Sequence, residues 1–178
     1  MGEAFEPDAS GVRVCLDTHQ AALLDQVVRE LLGVLEEPAE GVDELDPHRH
    51  DPPAARRRLF PHAYLDPTEE QAEEEWQRMV HHDLVDGKRR NARTLLGGLE
   101  ALTPAGSDLA GTLDRDDAEA WLGALNDTRL VLGTRLEISD EVDYSGLDPT
   151  DPDDAAMLAY GFLTHLTGTL LEALTGDG

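Results

Sequence analysis

Residues 124–136, ALNDTRLVLGTRL, place charged side chains within a helical stripe of leucines. Leu125, Leu132 and Leu136 fall on one face at helical spacing, and Arg129 falls on that face too. A buried guanidinium cannot lose its proton, so it needs a carboxylate or several carbonyl oxygens around it. The stretch therefore predicts a helix that packs against other helices and carries a polar cluster on its packed side.

Capping signals delimit this helix and the one before it. Asp114 is the predicted N-cap of the helix that contains Arg129, because Asp117 follows at the third helical position. The preceding helix is predicted to start at Asp66, with a proline at the first helical position, and to kink or end early near Gly97. The sequence between the two helices, TPAGSDLAGTLD, predicts a turn-rich connection.

Two more helices lie towards the ends of the chain. The first covers residues 18–36 and is capped by Asp17 or Thr18. The last begins at Asp151, where a proline follows the cap, and runs to about Thr175. Its apolar residues cover a wide arc, which predicts either a central position or burial against a partner.

The whole pattern predicts a mainly α fold: a bundle of about four helices in a single helical domain over residues 1–178. Residues 1–16 contain the alternating run VRVCL and predict a short N-terminal β-hairpin or strand. Residues 38–57 are rich in Pro, Asp and His and predict a flexible loop. The run RLFPHAYL, residues 58–65, is bulky enough to be held on the core.

The predicted polar cluster joins two helices. Asp83 lies between Val80 and Gly87 on the stripe of the second helix, and we predict that it pairs with Arg129. Asn126 precedes Arg129 by three residues and is expected to complete its hydrogen bonds. The main interpretation of Asp83, Asn126 and Arg129 is a structural ion pair between helices, and the alternative is an arginine that binds a ligand.

The charge balance restricts the partners. The chain carries 38 acidic and 14 basic side chains, a formal net charge of −24, which repels phosphate backbones and anionic lipid. We therefore predict no nucleic-acid or membrane partner, although Arg56–Arg58 and Lys88–Arg93 leave a transcription regulator as an alternative. A single cysteine, Cys15, and the lack of any long apolar run or signal-peptide pattern predict a cytoplasmic protein.

Signatures of catalysis are missing from the sequence. It contains neither GxSxG nor a phosphate-binding glycine loop, so we predict a non-catalytic protein without cofactor or metal. The alternative is a metal-binding protein or enzyme with a site near His48, His50 and His62, or at the Asp83–Arg129 cluster. The histidine spacing matches no zinc pattern, which favours surface histidines.

Three stretches together resemble a known family. RLFPHAYLDP (58–67), W-x-x-x-V-x-x-D-L (76–84) and WLGALNDTRLVLGTRLEI (121–138) are similar to an uncharacterised actinobacterial domain-of-unknown-function family, number two thousand and seventeen in that series. The resemblance runs from the first helix to the last. It implies an intracellular actinobacterial protein of no established activity, encoded beside the Clp protease adaptor ClpS, and gives no catalytic residues to carry over.

These observations together predict a non-catalytic regulatory or adaptor-like protein that acts by binding another protein. The gene neighbourhood that the resemblance implies would link it to regulated proteolysis. We also expect a homodimer through the C-terminal helix, because Gly161 and Gly168 permit close approach of a second helix.

Overall fold

The structure is a computed structural model that describes residues 3–36, 52–60, 70–138 and 144–176. Four long helices and a small sheet within these residues confirm the mainly α prediction. The elements follow in this order: β1 Phe5–Asp8, β2 Gly11–Asp17, α1 Thr18–Glu36, α2 Pro52–Leu59, α3 Glu70–Ala101, β3 Thr103–Ala105, β4 Asp108–Leu113, α4 Arg115–Arg135 and α5 Pro152–Thr175.

The sheet is larger than the predicted N-terminal hairpin. Strands β1 and β2 do form an antiparallel hairpin, in which Phe5 lies opposite Val14. Strand β4 then pairs with the other edge of β2, with Val12 opposite Leu113, so the strand order is β1-β2-β4-β3. The sequence between α3 and α4 therefore completes a four-stranded antiparallel sheet.

The segment TPAGSDLAGTLD forms the hairpin β3–β4, which corrects the prediction of a turn-rich connection. Ala105 pairs with Asp108, which leaves Gly106 and Ser107 as a two-residue loop. Gly106 has a φ of 70°, a conformation that glycine adopts without a steric penalty. Such loops are the commonest hairpin connections, so the Gly-Ser pair is a hairpin signal.

Three of the predicted helix starts are confirmed by side-chain caps. At α1, Asp17 Oδ1 accepts a hydrogen bond from the Gln20 amide, and Gln20 Oε1 accepts one from the Asp17 amide. At α4, Asp114 accepts from the Asp117 amide at 2.8 Å. At α5, Asp151 accepts from two amides of the first turn. These acceptors satisfy amides that have no partner inside the helix.

The core lies between the sheet and the four long helices. Trp121 of α4 is fully buried and meets Phe5 of β1 edge-to-face, with ring centroids 6.2 Å apart. Leu163 and Leu166 of α5 and Leu95 of α3 are also fully buried. Helix α4 contacts α3, α5, α2 and α1, which makes it the central helix of the bundle.

The predicted early end of α3 near Gly97 is wrong, because the helix continues to Ala101. Gly97 is exposed, whereas Gly98 faces Trp121 so closely that a Cβ atom there would lie 2.7 Å from the indole ring. The second glycine is therefore a packing requirement for the tryptophan and does not terminate the helix.

The C-terminal end of the predicted loop, residues 38–57, is helical. Residues 52–57 belong to α2, and residues 38–51 lie outside the described residues. Two prolines start α2, where their missing amides cost nothing, and alanines and arginines continue it. Leu59 and Phe60 are buried, as expected of the start of RLFPHAYL, whereas residues 61–65 lie outside the described part.

None of the helices in the described residues combines the length and the apolar character needed to cross a bilayer.

Candidate functional site

The structure brings Asn126 to Arg129 as predicted, but it does not bring Asp83 there. Arg129 Nη2 donates a hydrogen bond to Asn126 Oδ1 at 3.3 Å. Asp83 is exposed, and the described residues contain no ion pair between it and Arg129. Asp83 precedes the buried Ala92 by nine residues, which places it about half a turn away from the packed face of α3.

A different ion pair joins the same two helices. Lys88 Nζ of α3 lies 2.7 Å from Asp127 Oδ1 of α4, with the two side chains 22% and 6% exposed. Lys88 precedes Ala92 by four residues and so shares its packed face. The charged residue that the sequence buries in α4 is thus Asp127, next to the predicted cluster residue Asn126.

Burial dominates the electrostatics of this pair. Loss of solvation raises the pKa of Asp127 above its ordinary value, although the hydrogen bond from Lys88 and its positive charge lower it. Phe60, which directly follows α2, lies against Lys88, with its ring centroid 5.8 Å from Lys88 Nζ. Lys88 and Asp127, packed between α3 and α4, form a structural pair.

Two other members of the basic cluster on α3 contact the end of α1. Arg89 Nη2 donates to the Leu35 carbonyl in the last turn of α1 at 2.6 Å. Arg93 lies 3.5 Å from the Glu36 carboxylate at the end of the same helix. Cations stabilise the carbonyl end of a helix, so the Arg89 contact links α1 to α3, whereas the exposed Arg93–Glu36 pair adds little stability. Arg90 and Arg93 of this cluster are exposed.

Arg129 lines a groove that we call the arginine groove. It has a volume of about 810 Å³, opens to solvent, and lies between α2, the C-terminal half of α4 and α5. Arg58 of α2 lines it as well. Its other described lining residues include Leu130, Glu137, Ile138 and Tyr160.

The two arginines of the groove differ from most basic side chains that the structure describes. Ion pairs to acidic residues are formed by Arg13, Arg29, Lys88, Arg89, Arg93, Arg115 and Arg135. Arg58, Arg90 and Arg129 form none with the described residues. Nε of Arg129 is buried without an acceptor among the described residues, and so is Nε of Arg89 outside the groove.

Comparison with known proteins shows which family this chain belongs to. The family model described as Domain of unknown function (DUF2017) matches residues 2–174. The chain belongs to this family. The DUF2017 match therefore confirms the resemblance found in the three sequence stretches, and it covers every helix and strand described above except the last residue of α5.

Curated relatives of this DUF2017 chain carry the name of a regulator. This chain is 30% identical over 191 residues to "Oxidative stress regulator AosR" of Mycobacterium tuberculosis, and the alignment covers 96% of this chain and 85% of that protein. It is 35% identical over 142 residues to "Putative oxidative stress regulator AosR" of Mycobacterium leprae, covering 67% and 63%. No solved structure matches the chain significantly.

The remaining candidate residues of the DUF2017 chain are distributed as follows. His48, His50 and His62 lie outside the described residues. In the part that is described, no group of three or more His, Cys, Asp or Glu side chains is arranged to hold a metal ion. Cys15 is half-buried in β2, and its thiol donates to Asp108 Oδ2 at 3.6 Å.

Sequence reasoning missed Asp127 and Tyr160, and it identified Arg58 only as part of a basic cluster. Asp127 stands among consecutive polar residues, Asn126, Asp127, Thr128 and Arg129, on a helix that is packed on several sides. Such a helix must bury some of its polar residues, and this was the available signal. The contribution of Tyr160 to the groove depends on how α5 lies against α4, which no local pattern encodes.

Proposed function

We propose that this chain is a non-catalytic regulatory protein of the oxidative stress response that acts by binding another protein. The similarity to AosR over 96% of the chain carries the proposal, because those relatives are named as regulators of that response. The arrangement of charges supports the mode of action. Lys88 and Arg89 contact residues of the same fold, so only Arg90 and Arg93 of that basic cluster are exposed to a phosphate backbone.

The test is genetic and biochemical in the organism that encodes the chain. We expect that deletion of the gene lowers survival in hydrogen peroxide, and that the wild-type gene on a plasmid restores it. A tagged copy, crosslinked in living cells with and without peroxide, is expected to co-purify from the cytosolic fraction with one protein in a fixed ratio. Unchanged peroxide survival together with no crosslinked partner would contradict the proposal.

A finer form of the proposal is an adaptor role in regulated proteolysis. It is supported by the gene neighbourhood that the family resemblance implies. Protein half-lives measured by pulse labelling in the deletion strain and its parent provide the test. The adaptor form predicts one or a few proteins with a changed half-life. Equal half-lives throughout would reject the adaptor form and leave the regulatory proposal standing.

We also propose that the protein self-associates through α5. Much of its apolar arc packs inside the chain, but Leu171 is 50% exposed, and Gly168 has open space beside it. Sedimentation at micromolar concentration tests this proposal, and Leu171→Glu is the variant to compare. A dimer that becomes a monomer in this variant supports the helix as the interface, whereas a wild-type monomer contradicts self-association.

A further inference from the structure

We propose that the arginine groove binds an acidic segment of a partner protein, with a carboxylate of that segment accepting hydrogen bonds from Arg58 and Arg129. This inference rests on the proposed function, since it names the chemistry of the partner and the place where it binds. It starts from the distribution of charge. In a chain with 38 acidic side chains, two arginines on one groove form no ion pair with the described residues.

The state of Arg129 favours an external acceptor. Its Nη2 donates to a neutral amide oxygen, that of Asn126, and its Nε is buried without an acceptor among the described residues. A guanidinium presents its donors as a rigid fork that matches a carboxylate, and a ligand in the groove would supply the acidic partner that Arg129 lacks among the described residues.

The shape of the groove favours a peptide over a small molecule. A site for a small molecule encloses most of its ligand, whereas this groove of about 810 Å³ opens to solvent. Leu130, Ile138 and Tyr160 lie beside the arginines and present apolar surface. The expected segment therefore carries an aspartate or glutamate with bulky apolar residues next to it.

Charge elsewhere restricts how such a segment can bind. The net charge of −24 repels an acidic partner at most other places on the surface, so attraction has to be local. Glu137 lines the groove and opposes a second carboxylate near it. Because Arg58 is exposed, we also expect the binding to weaken with added salt.

Selection from a random peptide library displayed on phage tests the chemistry while the partner is still unidentified. The whole purified chain is the bait, and the enriched peptides are synthesised with a fluorophore for polarisation measurements. We expect them to share an acidic residue flanked by apolar residues. A peptide with that acid replaced by its amide, Asp to Asn or Glu to Gln, is the matched ligand control.

The variants assign the binding to the groove. Arg58→Gln/Arg129→Gln is expected to weaken the peptide affinity about tenfold or more, since charged hydrogen bonds are lost. Arg90→Gln is the matched control, because Arg90 also lacks an acidic partner among the described residues but does not line the groove. Circular dichroism and thermal melting verify that each variant folds.

The outcomes separate this inference from the proposed function. Enriched peptides without acids, no enriched peptide at micromolar affinity, or equal affinity of the double variant and Arg90→Gln would each overturn the acidic-segment site. If the partner crosslinked in cells binds the double variant as well as the wild type, the groove assignment fails and the regulatory function stands. If no partner is found in cells and peroxide survival is unchanged in the deletion strain, the function itself fails.

Discussion

Lys88 Nζ donates a hydrogen bond of 2.7 Å to Asp127 Oδ1 and so connects α3 to α4 in the interior of the bundle. The aspartate is nearly inaccessible to water, and the lysine is mostly covered. Desolvation of both charges offsets much of their attraction, so the pair adds little stability compared with apolar residues of the same size. Its importance appears when one partner is removed.

Lys88→Met is therefore expected to be strongly destabilising. The substitution leaves the Asp127 carboxylate buried without its cation, which costs about 3–5 kcal/mol of unfolding free energy. Urea denaturation near neutral pH measures the loss.

Arg115→Met is the control for Lys88→Met. Arg115 pairs with Glu119 on the surface at 2.9 Å, with side chains 72% and 54% exposed. Loss of that pair is expected to cost below about 1 kcal/mol. The double variant Lys88→Met/Asp127→Leu is expected to recover most of the lost stability, because no charge is then left buried. Equal losses for Lys88→Met and Arg115→Met would contradict the burial of the pair.

The pH dependence of stability provides a second prediction for Asp127. Burial raises its pKa and outweighs the effect of Lys88, so the folded protein keeps the proton to a higher pH than the unfolded chain, whose Asp pKa is near 3.8. The stability gained from proton binding is fully present below 3.8 and is lost as the pH rises through the folded-state pKa. The unfolding free energy of wild type minus that of Asp127→Asn should therefore fall as the pH rises from 3.8 to the folded-state pKa, and then level off.

Asp25→Asn is the control for this pH dependence. The hydrogen bond from Arg29 lowers the pKa of Asp25, so its contribution is present above the unfolded pKa and lost as the pH falls through the folded one. As the pH rises, the unfolding free energy of wild type should thus fall relative to Asp127→Asn and rise relative to Asp25→Asn. Carbon-13 spectra of the carboxyl groups give the titration midpoints, and a midpoint for Asp127 at or below 3.8 would contradict the first prediction.

Substitution by alanine is expected to change the stability in opposite directions at two adjacent glycines of α3. Gly98→Ala places a Cβ 2.7 Å from the ring of the fully buried Trp121, so we expect a loss of about 1–3 kcal/mol from overpacking. Gly97→Ala meets nothing within 4 Å and is expected to stabilise the helix by about 0.5–1 kcal/mol. Thermal melts of the two variants give the comparison. Equal effects would mean that Trp121 does not pack on Gly98.

Local features of the fold were predictable from the sequence. Capping by Asp17, Asp114 and Asp151 depends on amides two or three residues away, and the apolar spacing of α1 and α5 is independent of distant residues. The predicted bounds of these helices are accordingly close to those observed. The hairpin β3–β4 is also encoded locally, in Gly106 and Ser107, but its strands are too short to produce a clear alternation.

Contacts between distant elements were not predictable. The pairing of β2 with β4 joins residues about 90 positions apart, such as Asp17 and Asp108, and no short pattern specifies it. The partner of a buried charge depends on how two helices are rotated about their axes. Asp83 and Lys88 lie on nearly opposite sides of α3. If the wrong side of the helix is predicted to be packed, Asp83 is therefore predicted to be buried in place of Lys88. The arginine groove, built from three helices, follows from the same rotations.

The end of α4 supplies the last prediction. The Ile138 amide donates to the Gly133 carbonyl and the Glu137 amide to the Thr134 carbonyl, which is the Schellman arrangement. Glu137 occupies its left-handed position with a φ of 52°, where glycine is usual. Glu137→Gly is thus expected to stabilise the protein by about 1 kcal/mol, measured by urea denaturation.

Two controls separate the backbone effect at residue 137 from other causes. Glu137→Gln removes the negative charge but keeps a side chain at the left-handed position, so it should gain much less stability than Glu137→Gly. Glu172→Gly introduces glycine at an exposed site inside α5 and should cost about 1 kcal/mol. If Glu137→Gly also lowers the stability, glycine is not favoured at the end of α4, and the left-handed conformation of Glu137 carries no strain that a substitution can release.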